Sequence, residues 1–199
     1  MNFYNFARSI CRFYLKLFRN IKIEGQDNMP QEGPVIVASN HISFLDPVVV
    51  GCVFDRQINF IAKEELFHIP ILKTIIKGLH AFPVKRGSGD RGALRAALQV
   101  LSQGKCFGIF PEGHRNRTKD LITPFKGGAA MIAIKSGAPV LPVAVQGTKG
   151  FFSPVRVKIG KPISVPKQIE KIDKNTLTNF NKQLEDALLK LLKELHLQL

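Results

Sequence analysis

Between residues 34 and 163 short apolar runs alternate with amphipathic stretches, and the connections between them are short. No other feature constrains the fold as much. "PVIVAS" at 34–39, "INFIAK" at 58–63, "KCFGIF" at 105–110, "PVLPVAVQG" at 139–147 and "VRVKIGKPI" at 155–163 read as strands, with "HAFPVKR" at 80–86 a shorter extended run. Between them "DPVVVGCVF", "PILKTIIKG", "SGDRGALRAALQVLSQG" and "TPFKGGAAMIAIKSG" read as helices. Strand and helix in turn predict an α/β fold, a largely parallel sheet flanked by helices. Ligands of such sheets bind in the crevice beyond the carboxyl ends of the strands, where "SNHISFLD" and "FPEGHRN" are both expected.

Local signals delimit several helices. Ser88 or Asp90 can cap the helix that Gly104 stops; Thr123 can cap the next, with Pro124 in its first turn and Gly137 at its end. A last helix over about 176–197 aligns Leu177, Phe180, Leu184, Leu188, Leu191 and Leu195. A chain of 199 residues with 45% apolar content supports one sizeable core. We divide it into an N-terminal segment, 1–22, and a catalytic domain, 23–199.

The N-terminal segment, "MNFYNFARSICRFYLKLFRN", gathers Phe3, Phe6, Ile10, Phe13, Tyr14 and Leu17 on one helical face and Arg8, Arg12, Lys16 and Arg19 on the other. Every charge is positive. A helix packed on the core with a solvated basic face is one reading. The favoured one is an amphipathic helix in the plane of an anionic membrane, with Phe3, Phe6, Phe13 and Leu17 in the acyl boundary and Arg8, Arg12 and Lys16 near phosphates.

No apolar run reaches the roughly 18–20 residues that cross a bilayer, and no secretory signal is recognisable. The expected location is peripheral or monotopic on the cytoplasmic face of a membrane. The net charge of +14 predicts polyanionic partners. A nucleic-acid-binding module is a second class of reading, but no recognisable nucleic-acid motif accompanies the charge. Cys11, Cys52 and Cys106 lack Cys-x-x-Cys spacing and are expected as reduced thiols, with no metal site and no bound cofactor.

Two segments can do chemistry. His41 can accept a proton near neutral pH, and Asp46 can orient it if the intervening residues curl from strand into helix; Pro47 suits that geometry. Asp46 has an alternative role as N-cap of the following helix. Ser43 lacks a Gly-x-Ser-x-Gly elbow, so direct attack by an acceptor hydroxyl on an activated acyl group is more economical than an acyl-enzyme. An acyl hydrolase is weakened by the same absence. In and just after "FPEGHRN", residues 110–116, Gly113 permits close approach of a ligand, His114, Arg115 and Arg117 suit phosphate, and Glu112 can anchor an arginine by a salt bridge. Lys85, Arg86 and Lys126 are further phosphate candidates.

Together these residues resemble the glycerolipid acyltransferases. "NHISFLD" is similar to the first signature of that family, with "FIAKEELFHIPIL", "FPVKRG", "FPEGHRN", "PFKGGAAMIA" and "PVLPVAV" following in the family's order across about residues 30–150. The resemblance implies transfer of a fatty acyl chain from an acyl-CoA or acyl carrier protein thioester to the 2-hydroxyl of lysophosphatidic acid. It implies His41 as base, Asp46 as its orienting partner, and Glu112, Gly113 and Arg115 as binders of the glycerol phosphate. Lys63, Lys85, Arg86 and Lys126 are implied as weaker phosphate or donor contacts. Where the family usually has Ser or Thr after Glu-Gly, this chain has His114, which opens the alternative of another lysophospholipid, glycerol 3-phosphate or an acylated amino-acid lipid as acceptor.

Overall fold

The computed structural model describes residues 3–68, 82–84, 91–150, 152–165 and 173–197. The expected helix at 70–78, the caps Ser88 and Asp90, Lys85 and Arg86, and the side chains of Phe3 and Lys63 lie outside the described residues.

In chain order the elements are α1 (Phe3–Phe18), β1 (Lys22–Glu24), β2 (Val35–Ser39), α2 (Asp46–Val53), β3 (Ile58–Lys63), β4 (Phe82–Val84), α3 (Arg91–Ser102), β5 (Cys106–Ile109), α4 (Gly128–Ser136), β6 (Val140–Gln146), β7 (Arg156–Ile159) and α5 (Lys174–His196). Among the described residues seven strands form one sheet in the order β1-β7-β6-β2-β5-β3-β4. Every neighbouring pair is parallel except β6 with β7. That exception follows from chain length: residues 147–155 are too few for the crossover of about a dozen residues that a parallel return requires. The expected α/β sheet flanked by helices is therefore present, and β1, where no strand is expected from the sequence, adds an edge strand.

Alternation along the strands explains the layers. Val35 and Val37 of β2, with Leu141, Val143 and Val145 of β6, point to one face and pack with Val49, Val50 and Val53 of α2 and Leu15 of α1. Ile36, Ala38 and Val140 point to the other, against Ala97 and Leu101 of α3, Ala129 and Ala133 of α4 and Phe180 and Leu184 of α5. Leu188, Leu191, Leu192 and Leu195 of α5 extend that layer over Ala144. Asp173 caps α5, its carboxylate accepting from Thr176 N at 2.7 Å.

Two expectations change. Thr123 does not cap α4, which begins at Gly128; its amide and hydroxyl are taken by Glu112, and Lys126 N bonds Pro111 O at 2.9 Å, so residues 123–126 lie beside the β5 loop outside any helix. The basic face of α1 is also not a free face. Arg12 donates to Cys52 O and Phe54 O, both at 2.7 Å, and Arg8 to Asp55 O at 2.6 Å. These carbonyls lie at and just beyond the C-terminus of α2, which lacks intrahelical donors and carries the negative end of the helix dipole, so arginines are its natural partners. Arg19 is buried and donates to Gly147 O and Ser153 O at 2.7 and 2.9 Å. The apolar stripe of Phe6, Ile10, Phe13 and Leu17 is left facing outward, while Tyr4 and Leu15 enter the core. Among the described residues no helix is long and apolar enough to cross a membrane.

The cysteines are unpaired; Cys52 and Cys106 are buried. Cys52 Sγ donates to Arg8 O at 3.9 Å, and the neighbouring Cys52 thiol lowers the pKa of the half-buried Cys11 below the ordinary thiol value. Arg19→Met retains the apolar stem but removes the donor of two part-buried hydrogen bonds, to Gly147 O and Ser153 O, so stability is expected to fall by about 1–3 kcal/mol, measured as a shift of the urea unfolding midpoint.

Candidate active site

Strands β6, β2 and β5 are neighbours and run parallel, so their carboxyl ends open side by side. Each contributes a short loop. β2 leads to Asn40 and His41, β5 to Phe110–Glu112, and β6 to Gly147 and Thr148. Asn40 ties the β2 loop to β6 by a pair of bonds with Val145: its Nδ2 donates to Val145 O at 2.9 Å, and its Oδ1 accepts from Val145 N at 2.8 Å.

His41 and Asp46 meet. Nδ1 of His41 lies 2.9 Å from Asp46 Oδ2. A carboxylate can only accept, so Nδ1 carries the proton and Nε2 presents its lone pair. The imidazole side chain is 13% exposed, whereas Asp46 is fully buried. Asp46 Oδ2 also accepts from Ile42 N at 2.6 Å and Ser43 N at 2.7 Å, and Oδ1 accepts from Thr148 Oγ1 at 2.6 Å. These donors replace the water that a buried carboxylate loses. Asp46 sits in the first turn of α2 and Leu45 occupies the N-cap position without a side-chain cap bond. The capping alternative is thus set aside: the carboxylate turns back onto the loop that precedes the helix.

The ring is also clamped from its face. His41 stacks on Phe110 with centroids 4.2 Å apart, and Phe110 on Phe60 at 5.9 Å. Gly108 makes room for this row, because a Cβ there would run into the Phe60 ring and Ile58. Thr148, Phe110 and Phe60 were not singled out from the sequence. Thr148 falls 102 residues from Asp46, a separation at which no local spacing signal exists.

Glu112 is buried and plays a different part from the expected arginine anchor. Its Oε1 accepts His41 N at 2.7 Å, and its Oε2 accepts Thr123 N and Oγ1 at 2.8 and 2.7 Å. It joins the β2 loop to the β5 loop, helped by Asn116 N donating to His41 O at 2.6 Å. Gly113 follows at φ +72°, a backbone region suited to glycine. A Cβ there would collide with the Lys126 side chain, so the exposed Lys126 lies against the same turn. Arg115 has its guanidinium over the Phe44 ring, 3.6 Å from the centroid. His114 is exposed. Ser43 Oγ accepts Leu45 N at 3.2 Å, a turn contact.

The structure therefore gathers His41, Asp46, Glu112, Gly113, Arg115 and Lys126 at one sheet edge. A proton acceptor at Nε2 lies beside a turn bearing cations, an arrangement that can deprotonate a hydroxyl on a phosphorylated molecule.

Comparison with known proteins gives concordant matches. A family model described as Acyltransferase matches residues 20–146. The chain is 31% identical to the 1-acyl-sn-glycerol-3-phosphate acyltransferase of Bacillus subtilis over 80% of its own length and 82% of that protein's. It is 36% identical to the enzyme of the same name from Borreliella burgdorferi, over 66% of this chain and 53% of that one. The crystal structure of the 1-acyl-sn-glycerophosphate acyltransferase PlsC from Thermotoga maritima superposes with a TM-score of 0.77 at 32% identity, covering 96% of this chain and 80% of that chain.

Because Glu112 receives only donors, Glu112→Gln turns an amide N–H₂ against one of them. Stability is expected to drop by about 1–3 kcal/mol, read by differential scanning calorimetry.

Proposed function

The chain belongs to the acyltransferase family, and from that membership we propose that it transfers a fatty acyl group from an acyl thioester to the 2-hydroxyl of 1-acyl-sn-glycerol 3-phosphate, forming phosphatidic acid. The donor is a thioester of coenzyme A or of an acyl carrier protein. The observation that carries the reading is the contact between His41 Nδ1 and the buried Asp46 carboxylate, beside the Gly113–Arg115 turn.

In the reaction His41 Nε2 takes the proton of the acceptor hydroxyl as its oxygen attacks the thioester carbonyl. The new C–O bond gives a tetrahedral intermediate, whose collapse breaks the C–S bond. The departing thiolate recovers the proton from the imidazolium. Asp46 holds the productive tautomer and offsets the positive charge on the ring, and Thr148 and the Ile42 and Ser43 amides hold Asp46. Arg115 and Lys126 attract the acceptor's phosphate; Glu112 and Gly113 shape the turn that presents them. No acyl-enzyme is required. Lys63, Lys85 and Arg86 stay candidates for donor or phosphate contacts.

A general base contributes about 10²- to 10⁴-fold, so His41→Ala is expected to lose that much turnover with lysophosphatidic acid and acyl thioester, followed by thiol release. Retention of more than a few per cent of wild-type turnover would remove His41 as base.

The exposed His114 supports a second reading, in which the chemistry is kept and the acceptor is another lysophospholipid, glycerol 3-phosphate or an acylated amino-acid lipid. Competition among these acceptors decides between the two: a clear preference for lysophosphatidic acid supports the first.

The proposed location is the membrane surface, with the outward stripe of Phe6, Ile10, Phe13 and Leu17 on α1 in the acyl boundary. Arg8 and Arg12 are committed to α2, so ring burial supplies most of the attraction. Phe13→Asp combined with Leu17→Asp is expected to abolish co-sedimentation with anionic vesicles while thermal unfolding is unchanged.

A further inference from the structure

Phe44 stands at the apex of the turn between His41 and Asp46, and its ring is 77% exposed. Exposure of a large ring has no folding benefit. Yet the turn beneath it is closely held: the amides of Ile42 and Ser43 bond to Asp46 Oδ2, Leu45 N to Ser43 Oγ, and Asp46 N to Ser43 O at 3.4 Å. The position of the Phe44 backbone is therefore coupled to that of His41.

The half-buried Arg115 faces this ring with its guanidinium carbon 3.6 Å from the centroid. Contact at that distance uses the flat face of the guanidinium and leaves its edge of N–H donors open. Arg12, Arg19 and Arg56 contrast with it, since their N–H groups are given to backbone carbonyls. Among the described residues no acceptor bonds the N–H groups of Arg115. A cation is thus held in place, on an aromatic seat, with its hydrogen-bonding edge uncommitted.

We propose that Phe44 is a positioning residue: its ring seats the Arg115 guanidinium so that the N–H edge meets the phosphate of the acceptor at a fixed distance from the base. This rests on the reading of Arg115 as a phosphate binder. A single six-residue turn, His41 to Asp46, then sets both the base and the seat of the phosphate cation. The role demands an aromatic face, which separates it from a lipid contact, for which any apolar side chain of similar size serves.

The test measures KM and kcat with lysophosphatidic acid in mixed micelles for Phe44→Leu, Phe44→Trp, Arg115→Leu and the Phe44→Leu/Arg115→Leu double variant. Phe44→Leu is expected to raise the acceptor KM about two- to fivefold, the span of cation–π contacts at exposed sites, with kcat changed less than about twofold and the donor KM unaffected. Phe44→Trp restores the wild-type KM, and Phe44→Leu adds nothing in the Arg115→Leu background. Additive effects, an unchanged KM in Phe44→Leu, or failure of Phe44→Trp to restore it would overturn the proposal. If Arg115→Leu itself leaves the acceptor KM unchanged, the phosphate reading of Arg115 falls and the role of Phe44 with it. If Arg115→Leu raises KM and Phe44→Leu does not, only the Phe44 role falls.

Discussion

The carboxylate of Asp46 is the interaction on which the site depends. It is buried with no Lys or Arg paired to it among the described residues, and it stays there because His41 Nδ1, two backbone amides and Thr148 Oγ1 supply the hydrogen bonds that water would. The same bonds shape the loop. By drawing the Ile42 and Ser43 amides inward, Asp46 folds the chain from β2 into α2, aims the imidazole, and throws Phe44 outward.

Glu112 is the complementary tie. Asp46 draws the β2 loop toward β6, whereas Glu112 draws it toward β5 and the 123–126 segment. Two buried carboxylates thus serve as acceptors for backbone donors that irregular loops would otherwise leave unsatisfied. Their placement at the ends of three adjacent parallel strands is what turns a sheet edge into a rigid site. Sites on such frames lose little orientation to side-chain motion, and the Phe60–Phe110–His41 row adds face-on support.

The parts legible in the sequence were those with a local signature. The His41-to-Asp46 spacing, the apolar runs of β2, β5 and β6 and the leucine stripe of α5 are periodic or short-range. Thr148 and Phe110 were not legible, because each acquires its meaning from a strand adjacency. Glu112 was legible as a site residue and misread as a salt-bridge partner: neighbouring arginines in the sequence suggested an ion pair, but burial placed it among backbone donors. Likewise the helical wheel identified both faces of α1 and did not reveal which face α2 would claim.

By itself the sequence determined an α/β domain, the helical α1 with its segregated faces, and the ordered blocks that carry family membership, since each is encoded in periodicity or short spacing. Tertiary structure alone decided that the arginines of α1 serve the C-terminus of α2, that Thr123 bonds Glu112 instead of capping a helix, and that Phe44 and Arg115 share a contact. The physical reason is common to all three: a donor's partner is whichever acceptor folding brings within about 3 Å, and no local pattern encodes that distance.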